Sequence, residues 1–313
     1  MKRFFLTSLS VFFCLGLIAQ DEGKIVLKDE VLNGKIKTIY EKRNNNNKID
    51  SLVYYFNELG LLIAEESSLF AGLNKKAIYT YNSDNQRIKT TMYDKEENET
   101  DYIEFVYENE NLIKRFYKYA KSTPKITRYI DYEINTYKYD EHRNVIERKE
   151  IHKNKNSRSE TFQAHIKYQY DSIGNCTIEK RLDSRGEVVE EKNNEYNNGK
   201  LIETFTWQLF EEEDLYLRDI YEYNNDGTMK SHTHIVYMYG STDEEVVKWT
   251  ENYSYEYDTN GRLIGETKTP IGTDNWYKPM EKTIWKHIDF DDYGNWIQKT
   301  MGNTIINREI EYY

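Results

Sequence analysis

One pair of side chains in this chain has the spacing of metal ligands, His232-Thr233-His234. Residues i and i+2 of a strand project from the same face, so two imidazoles at that spacing can reach one ion. No third ligand of the usual kind stands near them in the sequence. The pair therefore reads as two solvated strand histidines, and no metal and no cofactor are expected. The acidic run Glu211, Glu212, Glu213, Asp214 lacks the alternating oxygen spacing and the glycine that wrap a loop around calcium. It reads as a solvated loop, and Asp291-Asp292 with Gly294 is accounted for by turn formation.

Catalytic signatures are missing. The sequence contains no Gly-x-Ser-x-Gly elbow, no His-Glu-x-x-His, no phosphate-cradling glycine loop and no cysteine paired with a motif histidine. Among 54 acidic residues nothing singles out a glycosidase pair, so the chain is expected to be non-catalytic. Aromatic side chains are a better lead, with 29 Tyr, 12 Phe and 5 Trp. Tyr253, Tyr255 and Tyr257, with Tyr221, Tyr223, Tyr168 and Tyr170, are expected to form ladders across neighbouring strands, each pair stabilising the sheet by roughly 0.2–1 kcal/mol. Rings left on an uncovered face would instead stack on a sugar or hold a peptide. Trp276, Tyr277, Trp249, Tyr253 and Tyr255 are the candidates for that role, followed by Trp207, Trp285 and Trp296. The expected function is binding of a glycan or a protein. A structural subunit assembling through its sheet edges is the alternative, and a carbohydrate-active enzyme a third reading.

These residues sit in a repeat. An aromatic anchor followed by Asp or Asn recurs at Phe56-Asn57, Tyr81-Asn82, Tyr139-Asp140, Tyr170-Asp171, Tyr223-Asn224, Tyr257-Asp258 and Phe290-Asp291, with shorter variants at Tyr107 and Tyr196. The nine anchors are 25 to 34 residues apart. Upstream of each the sequence alternates with period two, as in Phe162, Ala164, Ile166, Tyr168, Tyr170, the mark of a strand. Asp or Asn then opens a turn by accepting from the amide two residues on. Gly, or Asn85, or less comfortably Arg143, takes the left-handed corner before a second strand such as Leu263-Ile264. Asn198-Gly199 reads as a tighter two-residue turn. The unit is a β-hairpin with a fixed turn at one edge and loops of drifting length at the other. The expected fold is all-β, one continuous meander of sixteen to twenty antiparallel strands forming a twisted, curled or solenoid-like sheet.

Residues 1–19 carry Lys2, Arg3 and an apolar block from Phe4 to Ile18, the pattern of a secretory signal peptide, with the repeat domain occupying 20–313. Val11, Phe12 and Phe13 ahead of Cys14 are too large for a lipid-attachment site. Without the leader the net charge is about −13, which excludes nucleic acid as a partner. Only Cys176 then remains, so no disulfide staples the chain. A mean hydropathy of −0.89 suits a thin sheet with wet faces, and no stable membrane insertion is expected. The chain is expected to be secreted, whether extracellular, periplasmic or cell-surface associated.

Tyr257-Asp258-Thr259-Asn260-Gly261-Arg262-Leu263-Ile264 resembles the YD repeat of RHS and teneurin-type proteins, and Tyr170-Asp171-Ser172-Ile173-Gly174-Asn175 matches it more loosely. The likeness runs from about Gly34 to the end. It implies a β-rich sheet spiralling into a shell, and roles in carbohydrate binding and cell-surface contact. The longer intervals, and the lack of an aspartyl self-cleavage region or payload, depart from the toxin-encapsulating members. The style is similar to short YD-type proteins exported by Bacteroidetes-like bacteria.

Overall fold

A strand buries little on its own, and twenty of them here share one continuous hydrogen-bonded wall. The computed structural model describes residues 25–27, 30–45, 48–68, 74–119, 130–155, 159–209, 214–238, 245–259, 261, 263–272 and 283–313. The strands are β1 (Ile25–Leu27), β2 (Glu30–Leu32), β3 (Ile36–Asn45), β4 (Lys48–Phe56), β5 (Leu62–Ser68), β6 (Asn74–Tyr81), β7 (Arg87–Tyr93) and β8 (Glu99–Glu108). Next come β9 (Asn111–Lys118), β10 (Ile130–Tyr139), β11 (Val145–Asn154), β12 (Glu160–Tyr170), β13 (Cys176–Leu182), β14 (Val188–Asn197) and β15 (Lys200–Leu209). The last are β16 (Asp214–Tyr223), β17 (Met229–Met238), β18 (Glu245–Tyr257), β19 (Leu263–Gly272), β20 (Thr283–Phe290), β21 (Trp296–Met301) and β22 (Thr304–Tyr312). No helix occurs among the described residues.

The all-β antiparallel meander is as expected, but the sheet is neither open nor a solenoid. β1 and β2 pair only with each other, whereas β3 to β22 run up and down in order and β22 returns to pair with β3, from Thr304↔Asn45 to Tyr312↔Ile36. The result is a closed 20-strand barrel. The reason lies in the repeat. At every anchor the register slips by one residue, as where Gln169↔Ile178 is followed by Tyr170↔Cys176. The same slip occurs at Phe56, Tyr81, Tyr107, Tyr139, Tyr196, Tyr223, Tyr257 and Phe290. A bulge bends its strand and tightens the twist. Nine bulges at the same rim curl the sheet until its two edges meet, which removes the unpaired backbone that an open sheet would expose.

The turns follow the expected chemistry. The Asp171 Oδ1 accepts from the amides of Ile173 and Asn175 at 3.0 and 2.9 Å, and Gly174 has φ +89°. Asn85 and Arg143 take the corner at φ +61° and +68°, with Arg143 held to Glu110 at 3.0 Å. Asn198 and Gly199 are both left-handed, as are Asn109 and Glu110, matching two-residue hairpins. The Asn224 turn differs, since Asp226 rather than Asn224 accepts from the Thr228 amide. Two turns of the same design close the opposite rim at Asp94 and Asp183.

Hydrogen bonds to these carboxylates have a pH consequence. At Asp171 the Asn175 side chain, and at Asp183 the Glu187 amide, lead the causes that hold the acid below its ordinary value. At Asp140 burial opposes ionisation, but the Asn144 and His142 bonds outweigh it. A carboxylate depressed in the folded state stabilises above its unfolded pKa, and that contribution is lost as pH falls through the folded pKa. Asn57 and Asn82 build the same turn without a titrating group. The triple variant Asp140→Asn, Asp171→Asn, Asp183→Asn is therefore expected to lose less stability between pH 4 and pH 2 than the parent, measured by urea midpoints across that range.

The anchor tyrosine also has a task of its own. Tyr81, Tyr107, Tyr139, Tyr170, Tyr196 and Tyr223 each donate a hydroxyl hydrogen bond to a carbonyl of the preceding hairpin, respectively of Leu62, Arg87, Leu112, Val145, Cys176 and Leu201, at 2.7 to 3.0 Å. Each acceptor is the residue paired with the previous anchor. Successive hairpins are thus latched in series, which Phe could not do. Tyr170→Phe is expected to cost about 0.5–1.5 kcal/mol in chemical denaturation.

Paired residues share a face, and the registers trace two faces around the ring. One carries Ile39, Tyr54, Ala77, Thr90, Asp101, Asn135, Ala164, Thr204, Glu251 and Ile306, all buried. Side chains converge on a concave wall and diverge on a convex one, so this face is the inner one. Barrels of 16–18 strands already leave an aqueous channel, and this ring is larger still. Both faces are charged at mid-strand: one outer row reads Glu147, Lys167, Lys180, Glu191, Trp207 and one inner row Arg148, Ile166, Arg181, Glu190, Gln208. The apolar core is small and sits at the short-turn rim. There Leu32, Ile36, Ile39, Tyr54 and Phe56 pack together beside Leu52, Leu62, Ile310 and Tyr312.

Candidate functional site

Among the described residues, three places gather groups with recognisable chemistry. The first is on the outer face near the loop rim, where β8, β9 and β10 bring Tyr102, Phe116 and Tyr132 into a row. Their ring centroids are 6.0 and 5.4 Å apart with interplanar angles near 40°. Lys89 lies 4.7 Å from the Tyr102 centroid and Lys118 5.7 Å from that of Tyr132. A depression of about 540 Å³ opens beside the row, lined by Glu99, Thr100, Tyr102, Lys118, Tyr119 and Asp131, among others. The Lys118 ammonium bridges to Asp131 at 2.6 Å. Three half-buried rings are edged there by hydroxyl, ammonium and carboxylate groups, and the Tyr132 hydroxyl donates to Glu160 at 2.7 Å. Reading the sequence alone missed this row, because Tyr102 and Tyr132 lie outside the anchor motif and become neighbours only through β9.

The second place is on the inner face of β16, β17 and β18. His232 and His234 do share a face, and the expectation that no third ligand stands near them is overturned by register. Asp219 lies opposite His234, and Tyr221 opposite His232. The Asp219 Oδ1 meets His232 Nε2 at 2.8 Å and His234 Nδ1 in a short contact. Burial opposes ionisation of Asp219, but hydrogen bonds and charge from His232 and His234 outweigh it and hold the acid well below the carboxylate range. Burial and the Asp219 charge push the Tyr221 phenol up to about 12. The Tyr221 ring stacks on His232, centroids 4.6 Å apart and 11° from parallel. On the other flank, Glu251 is buried with Oε2 3.9 Å from His232 Nδ1, and it accepts from Tyr253 at 3.0 Å while pairing with Lys268 at 2.5 Å.

The same registers correct the expected tyrosine ladder. β17 separates Tyr221 from Tyr253, so the cross-strand row runs Tyr221, His232, Glu251 rather than tyrosine on tyrosine. Tyr253 and Tyr255 are half-buried, and the Tyr253 hydroxyl donates to Glu251 at 3.0 Å. Trp249 is the register partner of His234. Trp276 and Tyr277 lie outside the described residues, as do Glu211, Glu212, Glu213 and the expected leader. Trp296 is buried beneath the Arg308 guanidinium, 3.5 Å from its ring centroid, and belongs to the wall.

A third cluster, Glu133, Glu150 and His152, also gathers acidic and imidazole groups on the inner face. Arg115 lies 3.7 Å from Glu133 and Arg148 3.7 Å from Glu150, so each carboxylate there already faces a guanidinium.

No family model matches the chain, and no curated protein does. Among solved structures it is similar to a porin-like protein from Bacteroides uniformis, at 9% identity over 88% of this chain and 96% of that one, with a TM-score of 0.37. It is also similar to TcdB2-TccC3 without its hypervariable C-terminal region, at 10% identity over 84% of this chain and 21% of that one, with a TM-score of 0.18. At these scores neither likeness bears on fold or function.

Proposed function

We propose that this chain is an exported, non-catalytic binding protein of the YD-repeat type, a water-filled barrel in the aqueous phase that holds a glycan on the Tyr102, Phe116, Tyr132 row. The observation that carries the reading is that row itself: three rings from three strands beside an open depression at the loop rim. Charge on both faces supports the aqueous setting. A lysine or arginine facing lipid at mid-membrane costs roughly 2–4 kcal/mol, and the rows Glu147, Lys167, Lys180, Glu191 outside and Arg148, Arg181, Glu190 inside interrupt any apolar band along β11 to β15. Closure weighs against the alternative of a subunit assembling edge to edge, since the 20-strand ring has no edge to offer.

The test is a glycan array probed with the purified chain alongside Tyr102→Ala and Tyr132→Ala. With base–aromatic stacking, worth on the order of 1–3 kcal/mol per ring, taken as the scale, each variant should lose at least fivefold in affinity for whichever glycan binds. Silence of the parent across plant, host and bacterial glycans would contradict glycan binding, and undiminished binding by both variants would contradict the row.

A further inference from the structure

We propose that Asp219, His232 and His234 form a binding site for a divalent transition-metal ion, with Glu251 as the carboxylate that orients one of its imidazoles. The inference is independent of glycan binding, which was placed on other strands and the other face. Its first support is donor geometry. The three side chains come from two neighbouring strands, and their ligand atoms all lie within 4.8 Å of one another. An ion seated between them would take His232 Nε2, His234 Nδ1 and an Asp219 oxygen, replacing the present hydrogen bonds by coordinate bonds. Two imidazoles and one carboxylate suit zinc and its first-row neighbours rather than calcium or magnesium, which prefer all-oxygen sites.

The second support is what stands behind the ligands. Metal-bound imidazoles characteristically donate their remaining N–H to a carboxylate, which fixes the ring and raises its basicity. Glu251 is the carboxylate on that side, only 4% exposed, with Oε2 3.9 Å from the outward Nδ1 of His232, a charge contact beyond hydrogen-bond distance. Glu251 is itself fixed by the Tyr253 hydroxyl and the Lys268 ammonium. Tyr221 stacked on His232 restricts the ring from the other side. The contrast with Glu133, Glu150 and His152 is instructive: there two arginines face the carboxylates, and a cation would have to displace them. At Asp219 the described partners are the two imidazoles, whose neutral forms would accept an ion directly. All three protein ligands come from one wall, so the remaining coordination positions face the lumen and stay open to water or a small anion.

Calorimetric titration of the purified, chelator-treated chain with zinc chloride is expected to show one equivalent bound at micromolar or tighter affinity. Cobalt(II) added instead should give the visible absorption of a four- or five-coordinate site, which zinc abolishes. His232→Ala and His234→Ala should each weaken zinc at least 100-fold, and Glu251→Gln about 10- to 100-fold, while His152→Ala leaves it unchanged. Should the histidine variants fail to fold by circular dichroism, zinc protection of His232 and His234 against carbethoxylation in the parent chain, mapped by mass spectrometry, reads the same claim. The absence of stoichiometric zinc uptake, uptake that persists in the folded His232→Ala/His234→Ala variant, or protection that maps to other histidines would each overturn it.

Discussion

Glu41→Ala is expected to destabilise the barrel by about 3–5 kcal/mol, a large share of a domain's stability, because it leaves a buried guanidinium without its counter-charge. Glu41 on β3 and Arg308 on β22 are register partners across the seam where the ring closes, and Arg308 Nη2 donates to Glu41 Oε1 at 2.6 Å. Their side chains are 6% and 1% exposed, so water cannot take over the role of the missing partner. The Trp296 face beneath Arg308 offers only a partial substitute. The double variant Glu41→Leu/Arg308→Met should recover most of the loss, since the attraction within a buried pair roughly offsets the cost of dehydrating it. Urea denaturation of Glu41→Leu, Arg308→Met and the double variant measures this coupling directly. Additive losses would show that the two groups do not meet at a seam.

Tyr54→Ala should cost a similar amount, about 3–5 kcal/mol, for a different reason. Tyr54 is 1% exposed and is the largest side chain of the buried cluster at the short-turn rim, where Leu32, at the end of β2, packs against Ile36, Ile39 and Phe56. Elsewhere the wall is held by hydrogen bonds and half-buried side chains that can readjust around a loss. This rim has no such slack, and the cavity would open where β3 joins its neighbours. Tyr54→Phe, which keeps the ring, should cost no more than about 1.5 kcal/mol. Thermal and urea unfolding followed by tyrosine fluorescence separates the two. Because Glu41 and Tyr54 face inward on adjacent strands, their effects should not simply add.

Much of the fold was legible because the repeat is written in local chemistry. Asp171 opens its turn and Gly174 takes its corner by rules that act within five residues, and alternation such as Ala164, Ile166, Tyr168 fixes which face each residue joins. Closure was not legible, since it depends on the summed bend of nine bulges and on a pairing between residues 36–45 and 304–312 that no local signal announces. The anchor tyrosine was correctly placed but incompletely explained: its hydroxyl latches the hairpin before it, a contact between repeats rather than within one. The histidine cluster was half visible. His232 and His234 drew notice by spacing, while Asp219 lay thirteen residues upstream of His232 and seemed unrelated only because the register was not carried back from the Tyr223 turn. Counting from Tyr223↔Met229 across the bulge places Asp219 opposite His234. Tyr253 and Tyr255 share the inner side of their strand with Glu251, which period-two alternation shows, but the approach of Lys268 and the imidazoles from neighbouring strands is set by register and is not local.

The central claim, a closed barrel standing in water, is tested most directly at the seam. Glu309 and Tyr40 are register partners on the outer face of β22 and β3. Paired strand positions bring Cα atoms to about 4.5–5.5 Å, within disulfide reach. In a Cys176→Ser background, the Tyr40→Cys/Glu309→Cys variant purified without detergent should oxidise almost completely to a monomeric, internally bridged species that migrates faster on non-reducing gels. Thiols that stay free, bridges that form only between chains, or a protein that needs detergent to remain in solution would contradict it.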